Sequence, residues 1–213
     1  MHYAIVNGGE SRAFPPGDAF AAGAGPLGDA AIVVYPAGVP HVPDIDKTAI
    51  LVELGTESLG CHTGESLGME GSNVVGFARY RNGNDAPSSL VELVRQPCTA
   101  AAALAAARAV FEAAGLHVAV CADQAGRIVD RLIRPTYNAA LRFLDEGLAT
   151  QEAMDLTCRL GLGYTDGPIE RVVRGGLDHH YDVTSALFES TGAPGYAPAR
   201  RALVAAQRRR AGR

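Results

Sequence analysis

Tryptophan is absent from this chain and alanine is abundant, a composition suited to helices packed closely through small side chains. No apolar run approaches the ~20 residues that a membrane-spanning helix needs, and no basic-then-apolar start marks a secretory leader. Both gaps set the expectation of a cytoplasmic protein with no membrane partner. No C-x-x-C pair occurs either. Cys61, Cys98, Cys121 and Cys158 stand far apart, which argues against a zinc site or a disulfide framework and predicts reduced, mostly buried thiols. Positive charge is not in excess: 19 basic against 23 acidic side chains give −4, which argues against general nucleic-acid affinity. Arg208-Arg209-Arg210 is a local exception and reads as a solvated helix end rather than a phosphate contact.

What is present divides into two styles of sequence. The first half carries short apolar runs closed by turn residues. Tyr3-Ala4-Ile5-Val6, Ala31 to Tyr35, Ala49 to Leu54, Val74 to Tyr80, Leu90 to Val94 and His117 to Cys121 read as strands. Asn7-Gly8-Gly9 follows the first strand, where glycines would let a backbone approach phosphate, but no G-x-G-x-x-G is formed. Phe14-Pro15-Pro16-Gly17 also forbids an immediate helix, so this reads as a plain turn. No long amphipathic helix lies before Val74, and Gly55 to Ser72 reads as an exposed loop. Within it His62 stands beside Cys61, Glu57 and Glu65, a setting for metal or acid–base chemistry, although a solvated loop histidine is the ordinary reading. Thr99 is the expected cap of an alanine-rich helix that Gly115 stops.

From Gly126 onward the period changes. Ile128, Val129, Leu132, Ile133, Ala140, Phe143 and Leu144 recur at i, i+3 and i+4, predicting one apolar helical stripe with Arg127, Asp130, Arg134 and Arg142 mostly off it. Pro135 interrupts that helix and Gly147 ends it. Thr150 caps a second helix with Met154, Thr157 and Cys158 inward, ended by Gly161 and Gly163, and Pro168 opens a third. His179-His180 invites a metal reading, yet adjacent helical residues point about 100° apart, and Asp178 as an N-cap explains the spot better.

In order, GRIVDRLIRPTYNAALRFLDEGLAT, GLGYTDGP, Gly176-Leu177-Asp178 and the TG…YAP…RR tail resemble the C-terminal helical domain of the 3-hydroxyacyl-CoA dehydrogenases. That family words these segments as a GFIVNRLL-type helix start, an EG-(V/A)-A turn and a GAGYPMGPFE-type turn. The series from Val74 to Cys121 resembles the end of its nucleotide domain. The resemblance implies an α/β reduced Rossmann-like domain over 1–125 without the glycine fingerprint. An all-α dehydrogenase C-terminal domain, like that of 6-phosphogluconate dehydrogenase, then covers 126–213. It also implies an acyl-CoA cleft, NAD as the family cofactor, and a homodimer built on the helices of Gly126–Glu170.

Carried across residue by residue, the family's chemistry thins out. Its histidine falls on Ala78, or on Tyr80 if the turn is aligned differently, its orienting glutamate on Glu92, its serine near Glu57-Ser58, where Ser58 could serve, and its asparagine on Asp130. Alanine accepts no proton, so the family's proton transfer does not carry over as it stands. The chain resembles the second half of the long bacterial phenylacetate-type members, with no cofactor expected to bind tightly. Three readings stay open: an accessory or acyl-CoA-binding form; an active dehydrogenase whose cofactor domain comes from another, complete chain; and a different enzyme using Glu92, Asp130 or Glu57 as acid or base.

Overall fold

A computed structural model describes residues 2–65 and 73–212. The apolar runs become six strands: β1 (Tyr3–Ile5), β2 (Ile32–Tyr35), β3 (Ala49–Glu53), β4 (Val74–Arg79), β5 (Leu90–Arg95) and β6 (His117–Ala122). They form one sheet in sequence order. β1 to β4 are parallel, β5 reverses against β4, and β6 is parallel to β5. With the helices that follow, this is a reduced Rossmann-like sheet succeeded by an all-α domain.

The chain divides into two compact units. Unit 1 comprises Met1–Arg81 and Ala86–Arg127 and holds the sheet. Alternation along the strands sends Val34, Leu51, Val75, Phe77, Val91 and Leu93 to one face. Helix α3 (Ala101–Ala113) covers that face with Ala103, Ala107 and Phe111. Phe14 and Phe20 complete the layer, their rings 4.3 Å apart and Phe20 5.0 Å from Phe111. A ring buried this fully contributes about 2–3 kcal/mol of transfer free energy. Val33, Ile50, Val52, Val74 and Val94 occupy the opposite face with Leu59. The free side of β1 is partly closed by the chain itself, since Gly25 N–H donates to Tyr3 O at 2.9 Å.

Among the described residues before β4, the α-helices α1 (Ala19–Ala22) and α2 (Gly60–Thr63) are single turns. The stretch expected as an exposed loop from Gly55 therefore contains a helical turn, with Leu59 and Gly60 buried, because Leu59 fills the second sheet face. Its remainder, 66–72, lies outside the described residues. Thr99 does not cap α3: Ala100 holds the cap position, and the Thr99 hydroxyl accepts from Gln96 N–H at 2.9 Å. The cysteines are free as expected, but none is buried: Cys61 and Cys98 are exposed, and Cys121 and Cys158 only partly covered.

Unit 2 comprises Asn82–Asp85 and Ile128–Arg213. Its helices are α4 (Val129–Asp145), α5 (Gln151–Leu162), α6 (Pro168–Arg174), α7 (Leu177–Thr191) and α8 (Arg200–Arg210). Thr150 caps α5 through Ala153 N–H, and Pro168 opens α6. Gly161 lies inside α5, and Gly163, with φ 71°, is the residue that ends it. The inward residue of α5 is Asp155 rather than Thr157, which is exposed. Met154 packs partly against the core. The α4 stripe is also corrected. Its buried face is Arg134, Tyr137, Asn138, Ala140 and Leu141, whereas Leu132 is 70% and Phe143 44% exposed. Arg134 and Asn138 sit inward because partners on other helices satisfy them, as described below.

Asp155 explains how α6 starts. Its carboxylate accepts Ile169 N–H at 2.9 Å and Glu170 N–H at 3.0 Å, two groups that the first turn leaves unpaired. A Cβ on Gly167 would lie 2.2 Å from the Asp155 side chain, so that glycine is required by close approach. Asp155→Ala should lower stability by about 2 kcal/mol and Asp155→Asn by less, read from urea unfolding by far-ultraviolet circular dichroism.

Candidate functional site

The turn after β1 is the place where a dinucleotide would be held in a complete nucleotide domain. Gly8 and Gly9 have φ of 123° and 71°, the left-handed backbone that glycine permits. Beside Gly9 the chain itself comes close. A Cβ on Gly9 would lie 2.6 Å from Ala37 O and 3.0 Å from Val39. The next helix, α1, has its N-terminus taken by Asp18, whose carboxylate accepts Phe20 N–H at 2.9 Å and pairs with Arg79 at 2.7 Å. That carboxylate takes a first-turn N–H that a pyrophosphate would otherwise accept. These residues do not fit NAD.

Further across the sheet, β4 and β5 bring two of the expected site residues together. Ala78 and Glu92 are directly opposed partners on antiparallel strands. The register continues to β6, where Val94 opposes Cys121. The Cys121 thiol is pushed up to about 11, first by burial and then by the charge of Glu92, against the opposing pull of Arg127. Glu92 is buried and Cys121 partly so.

Ser58 lies in the segment after β3, which is tied to the residues after β6. Asp123 accepts Leu59 N–H and Gly60 N–H, both at 2.8 Å, and Arg127 Nη2 donates to Gly55 O at 2.7 Å. In the same segment His62 Nε2 stands 3.4 Å from Glu57 Oε1. Burial alone would raise the Glu57 carboxyl, but the Gly55 N–H and His62 outweigh it and lower it. His41 lies beside His62, ring centroids 6.5 Å apart, and is lowered by burial and then by the His62 charge. Among the described residues, no group of three His, Cys, Asp or Glu side chains is arranged to hold a metal.

Asp130 belongs to unit 2, where it pairs with Arg134 at 2.8 Å. From there a buried polar chain runs inward. Arg134 Nη1 donates to His180 Nδ1 at 3.2 Å, and His180 Nε2 donates to Asn138 Oδ1 at 2.9 Å. Asn138 also donates to Gly195 O and accepts Ala199 N–H. His180 is therefore a structural histidine. Asp178 is not the N-cap of α7, as expected, because Gly176 takes that position with φ 89°, and Asp178 pairs instead with Arg209 at 3.0 Å. The periodicity argument placed Arg127 and Arg134 off the buried face, and both are buried. The signal available for Arg127 was local: GRIVDRL has arginine where the resembling motif has phenylalanine.

Comparison with known proteins gives a consistent set of similarities. The model of the 3-hydroxyacyl-CoA dehydrogenase C-terminal domain matches residues 126–213. The mitochondrial hydroxyacyl-coenzyme A dehydrogenase of Sus scrofa is 34% identical over 125 residues, 54% of this chain and 38% of that protein. The 3-hydroxyadipyl-CoA dehydrogenase of Escherichia coli K12 is 34% identical over 108 residues, 50% of this chain and 23% of that protein. This chain therefore spans well under half the length of the curated relatives it matches. The crystal structure of M. tuberculosis FadB2 superposes with a TM-score of 0.72 at 25% identity, covering 87% of this chain and 67% of that one.

The polar chain makes a prediction about acid stability. Burial, then the charges of Arg134 and His179, lower His180 from 6.5 to about 3. Between those values the unfolded chain binds a proton that the folded chain does not, so stability is lost as pH falls below 6.5. This one group contributes a slope of about 1.4 kcal/mol per pH unit there, and none above. His180→Gln should remove that slope in a pH series of urea unfolding.

Proposed function

We propose, from the match of residues 126–213 to the C-terminal domain of the 3-hydroxyacyl-CoA dehydrogenases, that this chain is an acyl-CoA-binding, accessory form of that family without a dinucleotide site of its own. The observation that carries this reading is the glycine turn after β1, which forms no G-x-G-x-x-G and has Ala37 O and Val39 packed close beside Gly9. Ala78 opposite Glu92 supports it: the base position holds a methyl group while its carboxylate partner remains. We assign residues 1–125 to the reduced sheet domain, and residues 126–213 to acyl-CoA binding and dimerisation. Glu92, Ser58 and Asp130 stand at the positions that match the family's site motifs. Asp130 is committed to Arg134, so Asp130→Asn would also loosen the helical core.

A homodimer is supported by the apolar residues that unit 2 leaves outside. Leu132, Phe143, Leu148, Leu156, Leu160 and Leu162 are all exposed, more than a small helical unit leaves uncovered without a partner. A second reading is favoured by one observation: the His62–Glu57 pair at 3.4 Å is a histidine with a carboxylate beside it, the elements of a different acid–base enzyme.

Light scattering should give a dimer at micromolar concentration. Leu132→Asp should weaken it at least thirtyfold, about 2 kcal/mol, with helix content kept because Leu132 is exposed within the chain. Calorimetry should detect acetoacetyl-CoA binding to the parent. Neither the parent nor Ala78→His with Asp130→Asn should oxidise NADH with that substrate, because a base accelerates only a substrate held beside its hydride donor. NADH oxidation by the unmutated chain would overturn the accessory reading.

A further inference from the structure

Arg127 is the last residue of unit 1 and is 7% exposed. Its backbone has φ 48°, the one described non-glycine residue in the left-handed region. Arginine gains nothing locally from that conformation, which is sparsely populated for side chains of its kind. The conformation therefore points to a requirement on where the side chain goes.

The guanidinium spends one bond on the protein, from Nη2 to Gly55 O at 2.7 Å. Nε and Nη1 are buried with no hydrogen-bond partner among the described residues. Nor does any described carboxylate form an ion pair with it. Asp123, its neighbour after β6, is already engaged by Leu59 N–H, Gly60 N–H and the Gln96 amide. The bond to Gly55 O holds the guanidinium against the segment that leaves β3, within unit 1.

A buried cation with unspent N–H donors is costly unless something supplies both acceptor oxygens and negative charge. A neutral carbonyl supplies only the first. A carboxylate supplies both, and charge-assisted bonds of this kind are about twice as strong as neutral ones. We propose that Arg127 is a binding residue for the carboxylate group of a small organic ligand, received by Nε and Nη1 on unit 1. The assignment does not depend on acyl-CoA binding or on the missing base. It follows from a residue that departs from the family's motif.

The test uses the whole chain with butyrate as probe and butyramide as its neutral counterpart. Calorimetry should show saturable butyrate binding in about the millimolar range, with butyramide at least tenfold weaker. NMR of the arginine side-chain N–H groups should show the Arg127 Nε–H signal moving with the same saturation curve. Arg127→Met should lose butyrate binding at least tenfold, and its thermal unfolding without ligand should not fall, since the variant removes a buried charge lacking a partner. Absence of saturable butyrate binding to the parent would overturn the proposal. So would equal binding of butyramide, or butyrate binding unchanged in Arg127→Met. Loss of acetoacetyl-CoA binding alone bears on the acyl-CoA reading and leaves this one standing.

Discussion

From β1 to β4 every strand is hydrogen-bonded to its sequence neighbour, and parallel pairing obliges the chain to cross the sheet each time. In the doubly wound arrangement the strand order reverses, and the crevice at that reversal receives the ligand's phosphates. Here the order is monotonic over the described strands, so β1 is an edge, and the cavity lined by Ile5, Val6, Asn7 and Gly25 beside it lies at no reversal of strand order. The short connections then fill what a nucleotide would have used. Pro36 to Val39 lies against Gly9, Asp18 neutralises the start of α1, and Gly25 closes part of the β1 edge. A single topological constraint thus links the shortened front sequence to the misfit with NAD.

The helical unit is governed by a different economy. Its centre is polar: Arg134, His180 and Asn138 are buried in a chain whose members satisfy one another, and Asp155 serves the start of α6. Removing one partner from such a network leaves another group buried and unpaired, which is why it specifies the helix arrangement strongly. Because these positions are taken by polar groups, several leucines of α4 and α5 remain outside. Stability within the unit and the exposed apolar surface therefore have the same origin.

Most strands were legible because β-branched runs end at turn residues such as Asn7, Pro36 and Gly55, and each observed strand begins and ends within one residue of its expected span. Their order was not legible, since alternation tells which face a side chain takes and not which strand lies beside it. Helical faces were harder still. Apolar spacing chose Leu132 and Phe143 for the core of α4, but burial followed from where Arg134 and Asn138 find partners 40 or more residues away. Asp178 lost the cap of α7 because Gly176 adopts the positive φ of that position. Within the candidate site, Ala78 opposite Glu92 could be placed by family register. Arg127 could not, because a burial this complete, with two nitrogens lacking partners, is visible only once the fold encloses it.

The central proposal is that this chain has the fold of the end of a dehydrogenase without a dinucleotide site on its own sheet. Calorimetric titration of the whole chain with NADH tests it most directly. The closed turn at Gly9 and the Asp18 cap predict no measurable heat of binding up to about 1 mM cofactor, a free energy weaker than about −4 kcal/mol. Saturable binding at micromolar NADH would contradict the account, showing that the Asn7-Gly8-Gly9 turn opens to receive a pyrophosphate.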